Sequence, residues 1–266
     1  MAKNNSFIRL EGSLDGLTFF RKNGKNFVKT QSRVSKNRIM NDPAFKRTRE
    51  NMQEFAGANK GGKSFRDSFA SIVRTVSDAD ITSRVLGIMR RMMNAGAGLR
   101  GQRTLNVVDQ REPFIGFNFN VNKPFDRQFN VPSDGPAITA SRDTVTWTLP
   151  DFNADTYVLA PEGATHFKVV LAAGYVSNYE WVAALSAYEP VEDTPNGVGG
   201  VMYSGEIPVT GMVGSATDLT VDLTAYAPIP ATTALYVGTG IVFYQEVNGI
   251  MYELAQGHCM KIAAIG

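Results

Sequence analysis

Residues 57–64, Gly-Ala-Asn-Lys-Gly-Gly-Lys-Ser, fit the phosphate-loop pattern G-x-x-x-x-G-K-[ST] at every position. In that pattern Gly57 and Gly62 would let the backbone close around phosphate oxygens, while Lys63 supplies charge and Ser64 a magnesium ligand. The chemistry needs a buried hydrophobic strand before the loop. Residues 49–56 are instead polar and helical in pattern, and no parallel strand–helix series follows. The match reads as a false positive at a helix–helix corner, and no cofactor is expected.

Other reactive residues do not assemble. His258 and Cys259 are neighbours in an apolar run, and adjacent strand residues point to opposite faces. His166 stands far from both in sequence, and Cys259 is the only cysteine, so neither a Cys-built metal site nor an intrachain disulfide is expected. The carboxylates of the second half are scattered through turns. The sequence therefore predicts no catalytic residue, no metal and no small-molecule substrate; the protein is read as a non-enzyme.

Charge is the stronger signal. The formal net charge is only +2. Residues 1–127 nevertheless hold 24 of the 27 Lys+Arg and 11 of the 25 Asp+Glu, a local charge of +13. Residues 128–266 hold 3 and 14, a local charge of −11. Such a split suits a polyanion, an anionic surface or a complementary part of another copy. The surface expected to make that contact is Arg33, Lys36, Arg38, Lys46, Arg47 and Arg49. Arg21, Lys22, Lys25 and Lys29 lie close by, with Phe19, Phe20 and Phe27 among them. Basic groups interleaved with aromatics bind single strands by phosphate contact and stacking, so nucleic acid is the alternative partner.

These residues need elements to carry them. Residues 7–10, 17–20 and 26–30 read as three strands separated by Asp15-Gly16 and Asn23-Gly24, both suited to type I′ turns. A sheet this small is not stable alone. After a basic connection, Asp42-Pro43 signals a helix start. Phe45, Met52, Phe55 and Ala56 fall on one helical face, and Gly57 is expected to end that helix. A second helix carries Phe65, Phe69, Ile72, Val73 and Val76, and a third carries Ile81, Val85, Leu86, Ile88, Met89, Met92 and Met93. Residues 99–136, rich in Gly, Asn and Pro, read as a linker with embedded strands. From residue 137 onward, alternating runs and an Asn248-Gly249 hairpin turn indicate an antiparallel β-domain. Trp147, Tyr175, Tyr179 and Trp181 are its candidate sugar-stacking residues, although alternation places Trp147 in the core.

The expected fold class is thus α+β. It has a three-stranded meander and basic connection (1–40), a three-helix segment (41–98), a linker (99–136) and a β-sandwich-like domain (137–266). No charged and apolar leader opens the chain, and no run approaches the ~20 apolar residues of a membrane helix. Synthesis in the cytoplasm, with release or assembly into a particle, fits both features.

Residues 12–20 (Gly-Ser-Leu-Asp-Gly-Leu-Thr-Phe-Phe), 41–51 (Asn-Asp-Pro-Ala-Phe-Lys-Arg-Thr-Arg-Glu-Asn), Glu54-Phe55 and the Lys60 to Lys63 corner carry a resemblance. Over residues 7–75 the chain resembles a family of uncharacterised Bacteroidetes proteins, often present as several paralogues. The resemblance implies no activity and no site residues. Taken together, these features predict a structural, self-assembling subunit of a filament, surface layer or phage particle, most simply a homo-oligomer. The alternatives are a nucleic-acid- or envelope-binding protein and a carbohydrate-binding β-domain.

Overall fold

The computed structural model describes residues 2–3, 10–22, 24–31 and 34–266. The fold is α+β, and the chain forms two compact units, Met1–Glu50 and Asn51–Gly266.

The N-terminal unit is a meander of β2 (Gly12–Leu14), β3 (Leu17–Lys22) and β4 (Lys25–Thr30), with the two-residue β1 (Ala2–Lys3) added antiparallel to β4. Asp15 and Gly16 have φ of 45° and 75°, the left-handed pair that a type I′ turn requires. The strand expected at residues 7–10 lies outside the described residues except for Leu10, which is not in a strand; the first meander strand begins at Gly12. The basic connection holds a short helix, α1 (Lys36–Asn41). Asp42 then caps a 3-10 turn, Pro43–Phe45, by accepting from the Ala44 amide at 2.9 Å. Helix α2 (Lys46–Ser68) follows directly.

In α2 the sequence reading fails in two ways. The helix does not end at Gly57 but runs on for eleven more residues. It also turns its apolar face outward: Met52 and Phe55 are 51% and 48% exposed, whereas Glu54, Gly57, Ala58, Gly61, Gly62 and Phe65 are buried. The glycines explain both. A Cβ at Gly57 would lie 2.6 Å from Tyr188 Cγ, and one at Gly61 would lie 2.5 Å from Leu105 Cδ2. The helix approaches its neighbours more closely than any side chain permits, and the packing contact outweighs glycine's helix cost of ~1 kcal/mol.

The rest of the C-terminal unit forms three layers. The central sheet is built on two long strands, β7 (His166–Ser177) and β13 (Thr233–Val247), paired over twelve residues. The outer edge of β13 is shared by β15 (Cys259–Ile265) and β14 (Ile250–Glu253). The outer edge of β7 is shared by β10 (Gly199–Tyr203) and β11 (Ile207–Pro208). A smaller sheet contains β5 (Ala137–Ile138), β6 (Thr144–Leu149) and β12 (Thr217–Asp222). A hairpin of β8 (Tyr179–Val182) and β9 (Ala187–Pro190) completes the set.

Alternation along the two long strands sends side chains both ways. Phe167, Val169, Leu171, Leu235, Val237 and Ile241 meet Val145, Trp147, Leu219 and Val221 of the smaller sheet. Val170, Ala172, Val176, Tyr236 and Val242 meet Phe65, Phe69, Val85 and Met89 from α2 and α4 (Ile81–Ala95). A short helix, α3 (Val73–Val76), links those two. Because both faces are covered, β7 is buried from Val169 onward and β13 from Thr233 to Phe243.

Residues 99–136 are not a linker. Leu105, Val107, Phe114 and Phe119 are fully buried in the helical layer's core, and Phe65 packs against the rings of Phe114, Phe117, Phe119 and Tyr236 at centroid separations of 4.6–6.1 Å. Residues 117–121 form no strand, and Val121 is exposed. Gly, Asn and Pro mark irregular backbone here, not a separation between domains.

Candidate interaction surfaces

The chain's apparent phosphate loop is helical from end to end. Its backbone amides serve the helix ladder and cannot converge on a phosphate. The corner reading fails for the same reason. Lys60, Lys63 and Ser64 each have a partner in the fold. Lys60 Nζ donates to Tyr188 O at 2.7 Å and pairs with Glu189 at 2.8 Å; Lys63 pairs with Asp67 one turn on; Ser64 Oγ lies 2.6 Å from Tyr179 OH.

The sugar-stacking candidates are largely interior. Trp147, Tyr175 and Tyr179 are buried, and Tyr175 OH donates to Arg142 O at 2.5 Å. Trp181 is half-buried with its ring against Tyr188. They form no aromatic platform on the surface. Burial raises the Cys259 thiol to about 12, so it stays protonated at neutral pH. His258 Nδ1 accepts from the Phe243 amide at 3.1 Å, which leaves Nε2 to donate to Leu254 O at 2.5 Å. That histidine holds the β13–β14 end of the sheet. Among the described residues, no three His, Cys, Asp or Glu side chains converge as a metal site, and no helix is long and apolar enough to cross a membrane.

One buried ion pair was not legible in the sequence. Glu54 is 1% exposed, and both of its oxygens accept from Arg103 at 2.7 Å, with the Gly101 amide adding a third bond at 2.7 Å. Burial pushes the Glu54 pKa up, but the Arg103 and Gly101 hydrogen bonds and the guanidinium charge together hold it below its usual value. Glu54 lies off the face on which the spacing placed Phe45, Met52, Phe55 and Ala56, and only its partner, 49 residues later, shows that it is buried.

The predicted basic surface divides by role. Arg49 Nη1 donates to Ile39 O at 2.7 Å and Asp42 O at 2.9 Å, and so ties the end of α1 to the start of α2. Arg38 pairs with Asp42 at 3.2 Å and lies over the Phe45 ring. Arg47 pairs with Glu50 at 2.8 Å. Lys36 and Lys46 are exposed and have no ion-pair partner among the described residues. Arg33 lies outside the described residues.

The charge split is also redrawn. The basic stretch 51–127 packs against the acidic stretch 128–266 within one unit, and Lys60–Glu189 and Lys261–Asp126 cross between them. The contact that the sequence assigned to separate copies is, for this stretch, internal. The imbalance that remains is between the units. Met1–Glu50 holds 12 Lys+Arg and 4 Asp+Glu, a charge of +8, while Asn51–Gly266 holds 15 and 21, a charge of −6.

The N-terminal sheet shows no interior. Among its unit's described residues no apolar side chain is buried. Cross-strand partners share a face. One face carries Leu14, Leu17, Phe19 and Val28, and the other Lys3, Thr18, Phe20, Lys22, Lys25, Phe27 and Lys29. Phe20 and Phe27 stack at 5.7 Å with 21° between planes, and Lys29 Nζ sits 5.7 Å from the Phe20 centroid.

No protein-family model matches the chain, and neither a curated protein nor a solved structure matches it.

Proposed function

We propose that the protein is a non-enzymatic structural subunit that self-assembles, the basic N-terminal unit of one copy docking on the acidic C-terminal unit of a neighbour. The carrying observation is that Met1–Glu50 has no buried apolar side chain among its described residues. A four-stranded sheet without a core needs an external surface to bury its apolar face. Leu14, Leu17, Phe19 and Val28 supply that face, and the opposite charges of +8 and −6 supply attraction and orientation. Exposed Met52 and Phe55 add apolar area on the C-terminal unit.

Light scattering over protein concentration and salt tests this reading. Mass should rise with concentration at low salt and fall back as salt screens the charges. Lys36→Glu combined with Lys46→Glu should shift assembly to higher concentration. A monomer at high concentration in low salt would refute the proposal.

A further inference from the structure

We infer that the lysine-bearing face of the N-terminal sheet is a binding platform for single-stranded nucleic acid, read without regard to sequence. This inference does not depend on assembly, because it uses the sheet face opposite Leu14, Leu17, Phe19 and Val28.

The face places two stacked rings between cations. Along β3 and β4, Lys22 and Lys25 lie two residues from Phe20 and Phe27 toward the turn, and Lys29 lies two residues from Phe27 toward the other end. Lys3 stands across from Phe27 on β1. At a rise of ~3.3 Å per residue, the lysines flank the ring pair by roughly 7 Å on each side. All four lysines are exposed, and none has an ion-pair partner among the described residues. No strand position on this face holds a carboxylate. Phe20 and Phe27 are only partly buried, although apolar strand residues of a meander are ordinarily its interior.

This chemistry selects among polyanions. Bases in a duplex are stacked on each other and cannot add to the Phe20–Phe27 stack, whereas unpaired bases extend it. Lysines contact phosphate as flexible point charges without arginine's rigid fork, and stacking accepts any base, so sequence preference should be weak. A lipid surface would select large apolar side chains that project into hydrocarbon. Here the two partly buried rings stack on each other and Lys29 lies over the Phe20 ring, an arrangement of rings among cations and not of apolar side chains projecting outward.

The test uses the full chain at concentrations where scattering shows monomer. Fluorescence anisotropy would be measured with a labelled oligothymidylate of about 16 nucleotides, a duplex of the same length and anionic phospholipid vesicles. Tight binding of the single strand, weaker binding of the duplex and a steep loss with salt are expected. Phe20→Leu and Phe27→Leu should each weaken single-strand binding about tenfold. The triple variant K22Q/K25Q/K29Q, altered only at exposed positions, should flatten the slope of log affinity against log salt by about 2. No binding at low salt would overturn the inference. So would equal affinity for the duplex or the vesicles, or leucine variants that bind the single strand as the parent does.

Discussion

Two of the molecule's antiparallel sheets stand in opposite relations to solvent. In the C-terminal unit the central sheet is covered on one face by α2 and α4 and on the other by the β5–β6–β12 sheet, and its long strands are buried. In the N-terminal unit neither sheet face buries an apolar side chain among the described residues. Alternation is present in both, but the central strands also carry unbroken apolar runs such as Val169–Ala173, the pattern of a sheet covered on both faces, which β3 and β4 lack. What distinguishes them is the supply of apolar surface from elsewhere in the chain. The stripe of α4 and Leu105, Val107, Phe114 and Phe119 cover one face of the central sheet, while Phe125, Phe129 and Val131 join the core on the other.

This contrast predicts a steep difference in sensitivity to substitution. The largest effect is expected at Arg103, where Arg103→Ala would leave Glu54 buried and uncompensated and should cost about 3–5 kcal/mol. Urea unfolding followed by tryptophan fluorescence would measure it, since both tryptophans lie in the C-terminal unit. Next comes Gly61→Val, which drives new atoms into Leu105 and should cost about 1–3 kcal/mol by the same measurement. An unchanged midpoint for either variant would break the account of how α2 docks.

Acid should act on the C-terminal unit through the same carboxylate. Glu54 has a lowered folded pKa, as has Asp78, where burial opposes, and is outweighed by, bonds from the Val121 amide, Arg84 and the Asp80 amide. Groups of this kind contribute stability above the ordinary carboxylate value, and that stability is lost as pH falls through the folded value. The tryptophan-monitored midpoint should therefore drop as pH falls below about 4.5, and less so in the Arg103→Ala variant. The smallest effects are expected in the N-terminal unit. In the dilute monomer, Leu17→Ala or Val28→Ala should change the same midpoint by less than ~0.5 kcal/mol.

Much of the architecture was legible before the structure. Asp15-Gly16 and Asn248-Gly249 form the turns their types require, and every buried residue of α4 belongs to the stripe its spacing marked. The misses share a cause. Gly57 and Gly61 look like helix breakers until Tyr188 and Leu105 are seen against them. Glu54 looks solvated until Arg103 arrives, and the Gly-rich stretch 99–136 looks like a tether until Phe114 and Phe119 meet Phe65. Each depends on a partner distant in sequence, which local periodicity does not encode. Of the basic surface, the sequence identified charge but not commitment: Arg49 and Arg38 hold their own unit together, and Lys36 and Lys46 remain unpaired among the described residues. Phe20 and Phe27 were visible as aromatics among basic residues, yet their stacking and partial exposure were not.

Amide hydrogen exchange, resolved by peptide, most directly tests the central claim that the N-terminal sheet lacks a core of its own. At dilute, monomeric concentration the β3–β4 amides should exchange orders of magnitude faster than those of β7 and β13, and they should slow as concentration rises at low salt. Slow exchange of β3 and β4 in the dilute monomer, matching the central sheet, would contradict it.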